Sequence, residues 1–298
     1  MQLSSGLADS DLPGFWRDAD ATSLDGQRWT LAYSRARLGG SLAAAFGGAV
    51  SLSIGEVDVA AIVIFIGFGV ALAAELASWA HKPEREWYDG RALAESAKTL
   101  AWRYAVGADP FPAQMAAPDA RELLRSRLQE VAERSGAQVV QESDHPVTTP
   151  AMESLRQQPF DVRRGAYVEG RTKDQKDWYA RKAVANGRHS TCWTRTLIVV
   201  ELVAVTIALA RIFGGWDVDF AGILAAFIAA GAAWMAIKQF DPLAAAYTVA
   251  ARELAIQADR LQGVPEAMWA TTAADAEEAI SREHTMWLAS RTGRSALR

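Results

Sequence analysis

Two pairs of long apolar stretches constrain the fold of this 298-residue chain more than any other feature. The stretches lie at about 38–55, 59–80, 196–213 and 218–237. A bilayer core requires roughly 20 apolar residues of helix, each rising about 1.5 Å along the axis. All four stretches approach that length, and the rest of the chain is strongly charged. The sequence therefore predicts four membrane spans connected to water-soluble segments.

The connections within each pair are very short, "GEVD" in the first and "GGWDVD" in the second. Such short connections force each pair of spans into an antiparallel helical hairpin. Both connections are acidic and lack Lys and Arg. The opposite flanks are basic, with Arg28, Arg35, Arg37, Lys82, Arg85, Arg91, Arg181, Lys182, Arg188, Arg195 and Lys238. Because basic flanks remain on the cytoplasmic side, we expect a multi-pass protein of the inner (plasma) membrane with both termini in the cytoplasm.

Small residues recur at helical spacing along the predicted spans. In the first span they occupy every fourth position, at Gly39, Ala43, Gly47, Ser51 and Gly55. Gly67 in the second span and Gly222 in the fourth belong to similar patterns. Small side chains let helix backbones approach closely in lipid, where the hydrophobic effect does not drive association. We therefore predict that these residues lie at helix–helix contacts.

The charged segments carry amphipathic patterns. After the first hairpin, Leu93, Ala97, Leu100 and Tyr104 share one helical face. After the second, "DP" at 241–242 predicts a helix start, and an apolar stripe continues from Leu243 to Leu261. Further helices are predicted at 119–134 and at 272–291, where "TAAD" resembles a capping box. Residues 135–159 lack periodicity, which predicts a linker or mobile loop.

These patterns predict an all-α membrane protein with two tandem two-helix transmembrane hairpins and cytoplasmic amphipathic helices. We place the first two-transmembrane domain at 1–134, a linker at 135–160 and the second domain at 161–298. The first twenty residues contain no basic start followed by an apolar run, so no cleavable signal peptide is expected.

The segments around the spans also resemble a known family. "DLPGFWRDADATSLDGQRW" at 11–29, the first hairpin and "REWYDGRALAESAKTLAWRYAVGADPF" resemble one subtype of the SLATT domains. That name stands for SMODS- and SLOG-associating two-transmembrane effector domain. "YVEGRTKDQKDWYARKA" at 167–183, the second hairpin and "AEEAISREHTMWLASR" at 276–291 resemble another subtype. The resemblance implies a bacterial membrane effector of conflict systems, which opens a pore when a nucleotide second messenger or a sensor protein engages it.

Motifs for catalysis or cofactor binding are not found in the sequence. No Gly-rich phosphate loop occurs, and His81, His145, His189 and His284 lack metal-ligand spacing. The single cysteine, Cys192, excludes an internal disulfide. Glu277 and Glu278 fit a solvated helix face, and no basic arm suggests nucleic acid as a partner. We therefore expect no enzymatic activity, no metal and no cofactor.

Two carboxylates inside the predicted spans are the candidate functional residues. Glu75 and Glu201 both lie toward the basic ends of their spans. An ionised carboxylate that faces lipid costs at least ~2.5 kcal/mol, so each side chain must be protonated, paired or in contact with water. They could line a cation-selective pore, or they could bond a neighbouring helix or a basic flank. A proton relay is a weaker alternative.

Four spans are too few to enclose a wide water path, so a pore implies a homo-oligomer. The leading hypothesis from the sequence is an oligomeric, signal-gated membrane effector in a lipid bilayer. The alternative is a non-conducting membrane scaffold that docks a cytoplasmic partner.

Overall fold

The computed structural model describes the backbone of residues 6–134, 146–214 and 219–295, and the side chains of these residues as far as Ile280, apart from Arg134 and Phe213. The described chain is almost entirely helical. Its helices are α1 (Gly14–Ala49), α2 (Val59–His81), α3 (Pro83–Val106), α4 (Ala117–Arg134), α5 (Pro150–Arg156), α6 (Phe160–Tyr167), α7 (Asp174–Phe213), α8 (Phe220–Lys238), α9 (Phe240–Gln262) and α10 (Glu266–Ser295). Short 3₁₀ (Asp9–Asp11) and π (Val168–Lys173) segments complete the helical structure. The prediction of an all-α protein is confirmed.

The chain divides into two packing units that combine segments from both halves of the sequence. The polar unit contains residues 1–27, 84–180 and 248–298, and the apolar unit contains 28–83 and 181–247. The predicted domains at 1–134 and 161–298 and the linker at 135–160 are continuous segments of the chain, unlike these packing units. Their boundaries stay a prediction.

In the apolar unit, α1 and α2 form a helical hairpin. Strands β1 (Ser53–Ile54) and β2 (Val57–Asp58) pair antiparallel between the helices, with Gly55 at φ +63° in the turn. Positive φ suits glycine because it has no Cβ. Helix α1 thus ends at Ala49, six residues before the predicted end of the first span, because the chain turns through this small ribbon.

The second helices of the two hairpins, α2 and α8, begin and end in the same way. Asp58 accepts a hydrogen bond from the Ala61 amide at the start of α2, and Asp219 accepts one from the Gly222 amide at the start of α8. At the other ends, Lys82 (φ +49°) and Gln239 (φ +51°) adopt the left-handed conformation that closes a helix. These aspartate N-caps account for one acidic residue in each predicted connection.

Two helical segments of the described chain, Val59–His81 and Phe220–Gln262, are long and apolar enough to cross a membrane. Of the most apolar 18-residue stretch in each segment, only 17% and 6%, respectively, is buried in the protein. The core helix of a soluble protein would be mostly buried, so these surfaces are suited to lipid instead. Residues 38–49 of the first predicted span and 196–213 of the third form parts of the longer helices α1 and α7, and the membrane insertion of these spans stays a prediction.

Helix α3 is the centre of the polar unit. One of its faces packs with α4 and α5 through Ala97, Tyr104, Leu124 and Met152. Trp102 and Val106 of α3 belong to a second cluster, which also contains Tyr167, Leu261 and Trp269. The predicted amphipathic face of this helix is confirmed, since Leu93, Ala97 and Tyr104 are buried.

Buried arginines close the C-terminal end of α3. Arg156 donates hydrogen bonds to the carbonyl oxygens of Tyr104 and Phe111, each at 2.8 Å, and Arg163 donates to that of Val106 at 2.7 Å. The last carbonyls of a helix lack partners within the helix, so these guanidinium groups supply the missing donors. Arg156 belongs to α5, which lies inside the segment predicted as an irregular linker. That prediction is wrong for residues 150–156.

Two predicted helix starts are also displaced. Helix α10 begins at Glu266, so "TAAD" at 272–275 lies inside the helix and does not cap it. Helix α9 begins at Phe240 because the left-handed Gln239 has already ended α8. Asp241 and Pro242 therefore occupy its first turn.

Candidate functional site

Glu75 of α2 forms an ion pair within its own hairpin. The Arg37 Nη1 atom of α1 lies 2.7 Å from the Glu75 Oε2 atom, and both side chains are about half exposed. This is one of the two arrangements left open by the sequence, the pairing of a carboxylate of a predicted span with a basic flank. An ion pair of this kind lowers the cost of placing the carboxylate near lipid.

Glu201 of α7 differs from Glu75. Its side chain is exposed, and no hydrogen bond or ion pair to it is found within the described part of the chain. It lies four residues after Leu197, which contacts Gly231 of α8, so it flanks the face that packs within the second hairpin. The structure does not join Glu75 and Glu201 by any hydrogen bond among the described residues.

The close approach of α1 and α2 uses Gly40, Ala44 and Gly47. A Cβ atom built on Gly40 would lie 2.5 Å from the Gly67 carbonyl oxygen, and one on Gly67 would lie 2.7 Å from the Ala44 amide. Gly47 similarly faces the backbone of α2 at Ala60. Of the residues predicted for helix packing, Gly47 and Gly67 thus lie at a helix–helix contact inside the chain.

The other predicted packing residues are placed differently. Gly39 and Ala43 are exposed on α1, and nothing lies within 4 Å of a Cβ built on Gly39. Ser51 follows the end of α1, and Gly222 faces the capping carboxylate of Asp219. That these residues lie at helix–helix contacts, for example with another copy of the chain, stays a prediction.

The polar unit contains a buried charged centre around Glu277. The Arg171 Nε and Nη2 atoms donate to its two carboxylate oxygens at 2.9 and 3.0 Å. Tyr167 donates to the Oε1 atom and Thr99 to the Oε2 atom, each at 3.0 Å. Four donors therefore surround a carboxylate that is 0% exposed, which offsets the cost of removing it from water.

The environment of this centre shifts the pKa values of its members. Burial raises the pKa of the Tyr167 hydroxyl well above its ordinary value, and the adjacent Glu277 charge raises it further. For Arg171, burial alone lowers the pKa, but the attraction of Glu277 outweighs burial and raises it overall. Tyr167 is therefore neutral, and Arg171 is a permanent cation.

Arg171 lies in the π segment, which joins α6 to α7 without a break in the helix. Each of its neighbours Val168 and Thr172 is also buried. A π turn adds one residue to a helical turn and is frequently found at functional sites. Here it places Arg171 three residues before the 40-residue helix α7, whose later part carries the apolar stretch at 196–213.

An open cleft of about 380 Å³ lies beside this centre. It is lined by residues of the N-terminal segment, α3 and the π segment, including Asp9, Lys98, Trp102, Gly170 and Arg171. The Arg171 Nη1 atom is buried and has no hydrogen-bond partner within the described residues, and Lys98 bonds Asp9 at 2.8 Å. The cleft therefore combines cationic and acidic groups, and the Trp102 ring behind it is buried.

The sequence interpretation of Glu277 as part of a solvated helix face is wrong. Glu277 follows Ala273 by four positions and precedes Ile280 by three, and both of these residues are buried. That spacing already placed it on the apolar face of α10, whereas its neighbour Glu278 is exposed. The side chain of His284 lies outside the described residues. Within them, no group of three His, Cys, Asp or Glu side chains could hold a metal ion.

Comparison with protein families gives two adjacent matches. The family model of the SMODS and SLOG-associating 2TM effector domain 3 matches residues 13–164, and that of the SMODS and SLOG-associating 2TM effector domain 1 matches residues 167–287. No curated protein matches the chain, and no solved structure matches it. The first match ends inside α6 and the second begins at Tyr167, directly before the π segment.

Proposed function

Because the chain belongs to the family of SMODS and SLOG-associating 2TM effector domains, as a tandem of two subtypes, we propose that it is a signal-gated membrane effector of a bacterial conflict system. In this proposal several copies assemble in the inner membrane and open a pore. The polar unit lies in the cytoplasm together with both termini and receives the signal. The proposal assigns no enzymatic activity, cofactor or nucleic-acid partner to the chain.

The observation that carries the proposal is the position of the Arg171–Glu277 ion pair. Arg171 lies three residues before α7, the helix that contains the third apolar stretch, and Glu277 lies on α10. In this proposal a signal that moves α10 or the π segment separates this pair, which is costly because the remaining charge stays buried. The change reaches the apolar stretch along one continuous helix.

The cleft beside Arg171 is the proposed site of signal reception. Lys98, whose side chain is partly exposed, and the Arg171 Nη1 atom at the buried wall supply positive charge for the phosphate groups of a nucleotide second messenger. Asp9 and Glu169 at the same cleft fit a basic surface of a sensor protein instead. We therefore propose one of these two classes as the cytoplasmic partner.

Glu201 is the residue that we assign to the pore. Its carboxylate is exposed and unpaired in the described chain, whereas Glu75 already bonds Arg37. A ring of Glu201 side chains from several copies would place negative charge along a water path and favour cations. This assignment requires a homo-oligomer, since one chain cannot surround a wide path.

The test is ion and dye flux from liposomes that contain the purified chain, with and without extract from stressed host cells. Flux that rises with the extract and loses cation preference in Glu201→Gln supports the proposal. Glu75→Gln is the matched control, because it removes the same charge from a paired residue and should leave the preference unchanged. Sealed vesicles under both conditions, with correctly folded and inserted protein, would contradict a pore.

The second candidate is a non-conducting membrane scaffold that docks a cytoplasmic partner. The Glu75–Arg37 pair favours it, because one of the two intramembrane carboxylates is satisfied inside a single hairpin. Single cysteines on a Cys192→Ser background separate the two candidates. Glu201→Cys should react with a membrane-impermeant thiol reagent if it lines a pore, and the exposed apolar position Leu202→Cys should stay protected as a lipid-facing control. Equal protection at both positions favours the scaffold.

A further inference from the structure

One face of α7 carries a shallow groove of about 490 Å³. Its lining residues are Gly187, Arg188, Thr191, Cys192, Arg195 and Thr196. They form three pairs of adjacent residues, 187–188, 191–192 and 195–196, and each pair follows the previous one by four positions. Successive turns of the helix therefore contribute to one face. The groove has small residues along its floor and an arginine toward each end.

The two arginines of this groove, Arg188 and Arg195, are exposed. No hydrogen bond or ion pair to Arg188 or Arg195 is found in the described parts of the chain. The corresponding basic residues of the first hairpin are engaged, since Arg37 pairs with Glu75 and Arg35 lies over the Trp234 ring at 5.4 Å. Within the described residues, Arg188 and Arg195 therefore remain available for a ligand.

The surroundings of the groove are strongly positive. Residues 178–200 contain Arg181, Lys182, Arg188 and Arg195 and no Asp or Glu. The hydroxyl groups of Thr191 and Thr196 donate to the carbonyl oxygens of Gly187 and Cys192, each at 3.0 Å. Those donors are occupied, so the two guanidinium groups are the main donors that the groove offers. Such groups bind phosphate oxygens in a bidentate manner.

The groove also lies where a bilayer surface is expected. The apolar stretch of α7 begins at residue 196, directly after Arg195, and Trp193 is of the type found at headgroup level. The two arginines are seven positions apart, which is about 10.5 Å along the helix. One of them would lie at the phosphate layer and the other just outside it.

We infer that this face of α7 binds the phosphate headgroup of an anionic phospholipid, held between Arg188 and Arg195. Charge complementarity selects an anionic lipid over a zwitterionic one, and the small floor residues let the headgroup approach the helix backbone. The inference rests on the membrane insertion of the proposed function. It does not depend on whether the assembled protein conducts ions.

Cys192 provides a direct test, because it is the single cysteine of the chain and is exposed in the groove. The full-length protein is reconstituted in phosphatidylcholine vesicles with increasing fractions of phosphatidylglycerol. The rate at which a neutral, membrane-permeant maleimide modifies Cys192 is then measured. Flotation of the vesicles and thermal unfolding verify insertion and folding.

We expect phosphatidylglycerol to slow the modification of Cys192 in the unaltered protein. Removing one basic residue near a charged bilayer weakens binding about fivefold, so Arg188→Gln or Arg195→Gln should shift half-protection to a correspondingly higher lipid fraction. The double variant should lose protection. Lys182→Gln removes the same charge from another side of α7 and should retain protection. It thereby distinguishes the groove from general electrostatic attraction.

Two outcomes would overturn the inference. If inserted, folded protein shows the same maleimide rate in both lipids, or if Lys182→Gln reduces protection as much as Arg188→Gln, the groove does not select the headgroup. Either result leaves the membrane effector intact. Protein that fails to float with vesicles would contradict both the lipid site and the proposed function.

Discussion

Arg171 and Glu277, 106 positions apart in the chain, form a bidentate ion pair whose side chains are 1% and 0% exposed. Tyr167 and Thr99 complete the coordination of the same carboxylate. A buried pair of this kind contributes little net stability when intact but is costly to break, because the remaining charge stays in an apolar environment. It therefore ties the π segment to α10 in one defined arrangement.

The first prediction concerns this pair. Glu277→Gln should destabilise the protein by about 3–5 kcal/mol, because it leaves the Arg171 charge without a counterion. Thermal and denaturant unfolding followed by circular dichroism in detergent would measure the loss. The adjacent exposed residue supplies the control, and Glu278→Gln should change stability by no more than about 0.5 kcal/mol. Equal effects of the two substitutions would show that the pair does not hold the unit together.

The second prediction concerns the contact between α1 and α2. Gly40→Ala should destabilise the hairpin by about 1–3 kcal/mol, because the new Cβ would overlap the Gly67 carbonyl oxygen. Gly39→Ala should instead stabilise it by about 0.5–1 kcal/mol, since nothing lies nearby and alanine favours helix. Melting temperatures of the two variants in the same detergent provide the comparison. A lower melting temperature for Gly39→Ala than for Gly40→Ala would place Gly39, rather than Gly40, at the helix contact.

The third prediction concerns the left-handed residues that follow α2 and α8. A side chain in this conformation costs roughly 1–2 kcal/mol, and glycine avoids that cost but loses about 0.5–1 kcal/mol of backbone entropy. Lys82→Gly and Gln239→Gly should therefore each stabilise the protein by about 0.5 kcal/mol. Ala236→Gly, at an ordinary helical position of α8, should destabilise it by about 1 kcal/mol. Destabilisation in all three variants would argue against the left-handed geometry.

The fourth prediction concerns alkaline pH. Burial, together with the hydrogen bond from the Tyr104 hydroxyl to Glu153, raises the pKa of Tyr104 from 10.0 to about 12. The unfolded chain then releases this proton at lower pH than the folded protein. The stabilising contribution is full below pH of about 10 and is lost as the pH rises toward about 12. Unfolding measured across this range should show that loss.

Tyr104→Phe is the control for the pH experiment. It removes the ionisable hydroxyl while keeping the ring that packs against Phe111 at a centroid distance of 5.9 Å. The variant should lose less stability between pH of about 10 and about 12 than the unaltered protein does. Phenolate absorbance should correspondingly show one fewer late-titrating tyrosine. Identical pH profiles would mean that another group causes the alkaline loss.

The amphipathic and apolar patterns predicted the helices well. An amphipathic pattern depends on which face of a helix is buried, and an apolar stretch depends on the length of the helix. The stripe of Leu93, Ala97 and Tyr104 predicted the buried face of α3, and the acidic connections contain the aspartates that cap α2 and α8. Helix boundaries were less accurate. The "TAAD" capping pattern is satisfied by sequence alone, whereas the actual start of α10 at Glu266 depends on the preceding turn at Val264 and Pro265.

The sequence could not identify the contact face of α1, because glycines occur in adjacent pairs. Gly39 and Gly40, like Gly47 and Gly48, differ by only 100° around the helix. Both alternatives form plausible stripes of small residues, and only the position of α2 decides between them. Gly40 and Gly47 face that helix.

By itself the sequence determined the all-helical class, the paired apolar stretches and the family, since these follow from local periodicity, length and motif order. Only the tertiary structure decided which partners the charged residues have. Glu75 pairs with Arg37, Glu277 pairs with Arg171, and Arg188 with Arg195 remain unpaired among the described residues. The physical reason is distance along the chain: charge interactions depend on separation in space, and side chains 38 or 106 positions apart meet only after the helices have packed.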